Sequence, residues 1–270
     1  MAVKYDTEAV VSATDRSYRT PEIINQRART LAALKLRPGE RVLDLGCGPG
    51  LLARELGDAV GQDGTVLGID SSAEMLRVAQ ARCDGLPQVA FTTGSAEQSL
   101  ADHYGVFDAA VCVQLLLYLS NVAGAIGEMQ QVLKPGGRVA IIETDWRSVV
   151  LNSADNDFSK RMFHAWDAAV PSPNLPARIP ALLKEHGFSG VRAEAIPIVC
   201  LNPTPDTFVG AVLEWTARNA RDRGVVSEDE ATAWLSELRE LGRTGGFFFC
   251  VNRFLFTGVR PVGTGPSSLL

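Results

Sequence analysis

The chain has 270 residues, 46% of them hydrophobic and 21% charged, with a formal net charge of −5. That is long and apolar enough for one globular core with an insertion or a small cap, and the acidic balance excludes bulk attraction to a phosphate backbone. The five cysteines fall in no C-x-x-C pair, which points to reduced thiols in a cytoplasmic protein and excludes a zinc framework or a disulfide scaffold.

The opening residues Met1-Ala-Val-Lys-Tyr-Asp6 are polar within six positions, unlike a signal peptide. No apolar run reaches the ~20 residues of a membrane span. Residues 1–19 are mixed and polar, with Tyr5 and Tyr18 as isolated aromatics. Thr20-Pro21 reads as an N-cap followed by a first-turn proline, and Ile23, Ile24, Arg27, Leu31 and Leu34 follow at helical spacing. Pro38-Gly39 then turns the chain into a first strand, Arg41–Leu45. A helix over about 49–60, a strand over Thr65–Asp70 and a helix after Ser71-Ser-Ala-Glu74 follow, the last four residues reading as a capping box from Ser71.

A third strand is expected over Val89–Thr93, with a short helix from Ala96. The fourth, Phe107–Val113, is apolar on both faces, as a central parallel strand should be. A helix over 122–133, the turn Lys134-Pro-Gly-Gly137 and a fifth strand over Arg138–Glu143 come next. Strands alternating with helices predict a doubly wound parallel sheet. Beyond Trp146 the pattern loosens. A helical stretch over 159–170 and a helix over 180–187 precede a sixth strand, Val191–Leu201. Two amphipathic helices are expected over 206–242, the second opened by a capping box at Ser227–Glu230. A seventh strand spans 246–258, and a Gly/Ser/Pro-rich tail, expected to be disordered, closes the chain.

The chemistry gathers at Arg41-Val-Leu-Asp-Leu-Gly-Cys-Gly-Pro-Gly50. An apolar strand runs into glycines at 46, 48 and 50, then a helix, then a strand ending in Asp70. This is the layout of a nucleotide-type site at the carboxyl end of a parallel sheet. A dinucleotide G-x-G-x-x-G needs glycine at 51, where this chain has Leu51, so an NAD-type oxidoreductase conflicts with the spacing. No Lys-Ser/Thr follows, which excludes a P-loop.

The pattern Asp44, Gly46, Gly48, Gly50 closely resembles motif I of class I S-adenosylmethionine (SAM)-dependent methyltransferases, in their type 11 small-molecule branch. The resemblance is specific over about 40–145 and looser over 180–260. It implies a Rossmann-like α/β fold, a seven-stranded mostly parallel sheet in the order 3-2-1-4-5-7-6 with the seventh strand antiparallel. It divides the chain into N-terminal lid helices (1–39), a core (40–201 and 247–261), a helical cap insertion (202–246) and a tail (262–270).

The resemblance also implies roles. Gly46, Cys47, Gly48 and Gly50 approach the methionine part of the cofactor. Asp44 anchors the loop and meets the amino group. Asp70 accepts the ribose hydroxyls, with Ser71 and Met75 beside ribose and adenine. Gly94-Ser-Ala-Glu97 stands where the family has G-D-A-E, so Ser95, Ala96 and Glu97 fall on the adenine, with a hydroxyl in place of the usual carboxylate. Val113 and Gln114 end the fourth strand beside the cofactor. Tyr18 and Arg27 of the lid either reach the cofactor's carboxylate or are packing residues.

Methyl transfer needs a base only when the nucleophile must lose a proton. Candidates are Tyr118, Asp145 and His164. The aromatics Trp146, Phe158, Phe163, Trp166 and Trp215 either line an acceptor pocket or fill the core. Asn252-Arg253, a polar pair inside the seventh strand, either faces the pocket or serves the insertion. No metal is expected. The expected activity is methyl transfer from SAM to an oxygen, nitrogen or carbon of a small molecule, a specialised metabolite being suited to such a cap. The protein is expected as monomer or homodimer, without nucleic-acid or membrane partners. Two rival readings are a non-methyl cyclisation or rearrangement on the same fold and a non-catalytic SAM-binding module.

Overall fold

The computed structural model describes residues 7–262. Tyr5 and the tail from 263 onward lie outside the described residues. Four short runs build one half of the sheet, the third of them at its edge: β1 (Arg41–Leu45), β2 (Thr65–Asp70), β3 (Val89–Thr93) and β4 (Phe107–Val113). They pair in parallel, with Asp44 opposite both Gly68 and Val111. β5 (Leu133–Leu151) continues the parallel series. β7 (Phe249–Val259) runs antiparallel to β5 and to β6 (Ser189–Cys200). The order is β3-β2-β1-β4-β5-β7-β6, as the resemblance implies.

Helices cover both faces. On one, α2 (Pro21–Leu34) and α3 (Leu51–Val60) bury Leu34, Leu52, Leu56 and Val60 against Val42, Val66, Val111 and Ile142. On the other, α5 (Val122–Val132) and α7 (Ile179–Glu185) bury Ile126, Met129, Ile179 and Leu183 against Leu43, Leu45, Cys112 and Ile141. Full burial of β4 on both faces follows from this sandwiching. A third cluster sits where α6 (Asn156–His164), α8 (Phe208–Asp222) and α9 (Glu228–Thr244) pack on Ile198, Phe249 and Val251.

Several local expectations change. Helix α1 (Glu8–Ser17) occupies a stretch whose composition shows no helical stripe, because Val11 is its buried residue and polar ties hold the rest. The N-cap of α4 (Ala73–Arg82) is Ser72, which accepts from the Met75 N–H at 3.2 Å. Ser71 is therefore not the cap, and Glu74 turns to Arg77 at 2.6 Å instead of closing a box. No α-helix starts at Ala96. Its place is taken by turns and a short 3-10 segment at Ala101–His103, because Glu97 is drawn away to accept from the Ser120 and Asn121 N–H groups at 2.7 and 3.1 Å. The capping box at Ser227 is present with both of its bonds. β5 outruns the expected 138–143 at both ends, since β7 gives its far end a partner: Leu151 pairs with Phe249. α6 begins at Asn156 and stops at His164, short of the expected 170. Among the described residues no helix is long and apolar enough to cross a membrane.

Candidate functional site

The carboxyl ends of β1, β2 and β4 meet at the glycine turn. Gly46, Gly48 and Gly50 all have positive φ (76°, 50° and 75°), a conformation open to glycine and costly for other residues. At Gly50 a Cβ would lie 2.8 Å from the Ala79 Cβ, so α4 packs directly on the turn. At Gly48 a Cβ would meet nothing within 4 Å. The middle of the turn is therefore open to a ligand, while its end is closed by protein.

Two carboxyl groups flank the turn. Asp70, ending β2, accepts from the Gly48 N–H at 2.9 Å through Oδ2 and from the Ser72 N–H at 2.9 Å through Oδ1. Asp44, inside β1, is 2% exposed. Burial, reinforced by the Asp70 charge, pushes its pKa up to about 7. Its Oδ2 is buried without a hydrogen-bond partner. An orphaned carboxylate oxygen costs about 1–3 kcal/mol or more, and a cationic ligand group beside the open turn relieves that cost. This donor set fits the ammonium and backbone-hugging end of an amino-acid-bearing cofactor. Cys47 is buried, and burial, then the Asp44 charge, raises its thiol far above the ordinary range. It is an inert wall of the turn.

Gln114 ends β4 with φ +54°. Positive φ in a long side-chain residue is rare and persists where surroundings hold it. Here its N–H donates to the Ile142 carbonyl at 2.8 Å, and its Oε1 accepts from Thr144 Oγ1 at 2.6 Å. Val113, beside it, is half-buried. Met75 is buried behind Asp70, whereas Ser71 is exposed. Ser95 is half-buried and its Oγ accepts from the Glu97 N–H at 3.2 Å; Ala96 is buried and Glu97 exposed, bound to the Ser120–Asn121 backbone.

The N-terminal helices are tied to this end of the sheet by charge. Arg82 of α4 pairs with Asp15 of α1 at 2.6 Å and also donates to the Pro49 carbonyl. Arg27 of α2 pairs with Glu55 of α3 at 2.8 Å and donates to the Tyr18 carbonyl at 2.6 Å. Arg27 thus braces the turn that ends α1.

Past β4 the site becomes aromatic. Tyr118 meets Trp166 edge to face at 6.2 Å between ring centroids, and Trp166 meets Trp146 in the same way at 6.2 Å. Trp146 stacks on Phe163 at 6.4 Å, and Trp215 of α8 lies against Trp166. Trp146 and Phe163 also wall a cavity of about 340 Å³ whose rim carries Arg147, Lys160 and His164. Phe158 stays outside it, half-buried under Arg161. Of the base candidates, Asp145 is half-buried and accepts from the Arg147 N–H at 3.1 Å, and His164 is exposed at the cavity rim. Tyr118 lies on the far side of the tryptophans. The three are not drawn into one cluster.

At the level of sequence Glu143 went unassigned, and Arg253 was left between the pocket and the insertion. Glu143, buried in β5, accepts from the Leu116 N–H at 2.7 Å, and burial raises its pKa to about 8 despite those donors. Its signal was a lone acid at the end of an apolar central strand. Arg253, buried in β7, donates to Thr144 Oγ1 at 3.2 Å and to Gln26 Oε1. It was visible as an odd polar residue in a strand, but its partners were not. Through Thr144, Arg253 joins Gln26 and Gln114 in one chain of hydrogen bonds from α2 across β7 and β5 to the end of β4.

Comparison with known proteins agrees with this fold. A family model described as "Methyltransferase domain" matches residues 42–137. The chain is 31% identical over 247 residues to an uncharacterised 37.1 kDa protein in transposon TN4556 of Streptomyces fradiae, covering 91% of this chain and 70% of that one. It is 35% identical over 102 residues to a ubiquinone biosynthesis O-methyltransferase of Aromatoleum aromaticum, spanning 37% of this chain and 42% of that relative. In fold it is similar to a Haemonchus contortus phosphoethanolamine N-methyltransferase 2 in complex with phosphomonomethylethanolamine and S-adenosylhomocysteine. That likeness has a TM-score of 0.61 and 20% identity, and covers 94% of this chain and 58% of that one. The chain belongs to the class I methyltransferase family, whose methyl donor is S-adenosylmethionine.

Proposed function

We propose that this chain transfers the methyl group of SAM to a nucleophilic atom of a small, largely apolar molecule, with α1–α2 as a lid and α8–α9 as a cap over the reacting centre. The observation that carries this reading is the pairing of two unlike spaces along one sheet edge. One is a glycine turn with an orphaned Asp44 oxygen, suited to a cationic amino-acid end. The other, beyond β4, is the cavity of about 340 Å³ walled by Trp146 and Phe163, with Trp166 packed edge-on against Trp146 and backed by Tyr118 and Trp215. A specialised metabolite suits such an aromatic enclosure.

When bound, the cofactor supplies an electrophilic methyl group on a cationic sulfur. The residues of the chain supply alignment and exclusion of water, worth roughly 7–11 kcal/mol when orientation is good. Asp70 holds the turn and offers carboxylate oxygens to a ribose. Gln114, locked by Thr144 and Ile142, presents a fixed edge between cofactor and acceptor. Asp145, Tyr118 and His164 are the groups available to take a proton where the acceptor carries one. A cytoplasmic setting suits the buried thiols, four of the five cysteines being buried.

The test is incubation with methyl-labelled SAM and a panel of aromatic hydroxy, amino and carbon-nucleophile compounds, alongside calorimetry with S-adenosylhomocysteine. Label transfer to a panel member is the expected result. Tight S-adenosylhomocysteine binding with no label transfer to any compound, or product formed without label, would overturn it.

A further inference from the structure

Arg253 stands out among the charged side chains because it is 2% exposed and its partners are neutral. Its Nε donates to Thr144 Oγ1 at 3.2 Å, an Nη donates to Gln26 Oε1, and its guanidinium carbon lies 4.6 Å from the centre of the Phe208 ring. Among the described residues it makes no ion pair with a carboxylate. Glu143 is within electrostatic range, but its Oε1 is turned to the Leu116 N–H. Tyr18 and Tyr118 are the other titratable groups felt by the guanidinium. Holding a guanidinium out of water without a contacting anion costs several kcal/mol. Hydrogen bonds to a hydroxyl and an amide do not replace the missing charge.

Position tells which ligand it can serve. β7 is the third strand from β1, across β4 and β5. At about 4.8 Å per strand, its backbone is roughly 14 Å from the strand that carries the glycine turn. That is the acceptor side of the site, not the cofactor side. Phe249, Val251 and Arg253 alternate on one face of β7. Phe249 contacts Phe163, with ring centroids 6.1 Å apart, and Phe163 lines the 340 Å³ cavity together with Trp146. Arg253 is therefore two positions along the same face of β7 from Phe249, which packs behind the cavity wall. Above it lie Tyr18, which caps α1, and Phe208, which begins α8.

We propose that Arg253 selects the acceptor by binding an anionic oxygen of a small molecule whose apolar body lies along Trp146 and Phe163. The guanidinium offers planar, directional donors suited to such an oxygen, and a ligand anion supplies the counter-charge that the protein withholds. The inference rests on the acceptor being a small molecule. It narrows that class to compounds with a carboxylate or another ionised oxygen beside an apolar frame. Thr144 keeps its own bond to Gln114 when Arg253 is replaced, so the cofactor side does not depend on the guanidinium.

The experiment uses the full chain saturated with S-adenosylhomocysteine. Calorimetry compares 2-naphthoate with its neutral counterpart 2-naphthamide. The wild type should prefer the anion by at least about tenfold. Arg253→Met should abolish that preference while leaving S-adenosylhomocysteine affinity within about threefold, and Arg253→Lys should retain part of it. Equal binding of the two probes by the wild type, or a preference that survives in Arg253→Met, overturns the proposal. So does loss of S-adenosylhomocysteine binding in both variants, which would make Arg253 a structural residue. Failure of the wild type to bind S-adenosylhomocysteine strikes the methyltransferase reading itself; binding without probe preference strikes this inference alone.

Discussion

The N–H of Gly48 donates to Asp70 Oδ2 at 2.9 Å, so the open middle of the glycine turn is tied to the end of the neighbouring strand. The other oxygen of Asp70 holds the Ser72 N–H at the start of α4. One carboxylate thus fixes the turn and the helix behind it, at the position proposed for the ribose. Asp70→Ala removes these ties together with the ribose contact. Charge-assisted bonds of this kind are worth about 1.5–3 kcal/mol, which corresponds to roughly ten- to 100-fold weaker S-adenosylhomocysteine binding. Calorimetry at neutral pH checks it, and unchanged affinity would remove Asp70 from the cofactor site.

Gly48 and Gly50 should respond differently to alanine. Both have positive φ, so each substitution carries backbone strain of about 1–3 kcal/mol. At Gly50 the new methyl also meets Ala79, including its backbone Cα at 2.9 Å. Gly50→Ala is expected to lower the melting temperature more than Gly48→Ala. Gly48→Ala places its methyl in open space on the ligand side, and its main loss should be affinity for S-adenosylhomocysteine. Melting curves with and without that ligand separate the two.

Asp44 titrates near 7 because it is buried beside Asp70. A cationic amino group arriving beside it favours the ionised form and drives its proton off. Binding of S-adenosylhomocysteine should release a proton around neutrality, and affinity should rise between about pH 6 and pH 8. Calorimetry in buffers of different ionisation enthalpy reads the proton directly. Asp44→Asn should abolish the release.

Glu143 makes a stability prediction. Its folded pKa, about 8, lies above the ordinary carboxyl value of 4.5. The unfolded chain therefore loses its proton first as pH rises, and the native state holds the extra proton between those values. Stability falls with pH across this window and levels off above about 8. Asp44 adds the same sign between 3.8 and about 7. Glu143→Gln removes one contribution and keeps an oxygen for the Leu116 N–H. The melting temperature of the variant, relative to wild type, should rise from pH 5 to pH 8. A difference that is flat or falls would show that Glu143 is ionised in the folded protein.

Legibility followed the source of the stabilising contacts. β1 and β4 could be bounded from sequence because central parallel strands are buried on both faces, and short apolar runs are their direct imprint. The glycine turn was legible for a related reason: three glycines that take positive φ, with an acid on each flanking strand, leave a local mark in the chain. α1 was not legible. Its sequence, Glu8-Ala-Val-Val-Ser-Ala-Thr-Asp-Arg-Ser17, has weak helix formers and little apolar stripe. Part of its support is the pair between Asp15 and Arg82, 67 residues away. The cap of α4 was misplaced by one residue because two serines adjoin and only the backbone decides which one faces the helix. The Arg253 chain was the least legible part. Its bonds to Thr144 and Gln26 close over separations of 109 and 227 residues, and no local pattern records them.

The reversed direction of β7 has a further consequence for how such a protein can change. In β1, β2, β4 and β5 the ligand side is reached at the end of each strand; in β7 it is reached near the beginning, at Phe249 to Arg253. The helices α8 and α9 come immediately before that point. Residues 202–253 are therefore one uninterrupted stretch of chain that carries both the proposed cap and Arg253. The proposed donor-binding half, residues 41–114, shares no chain segment with it. An exchange of that single stretch between relatives can retarget the reaction while the donor half is inherited unaltered.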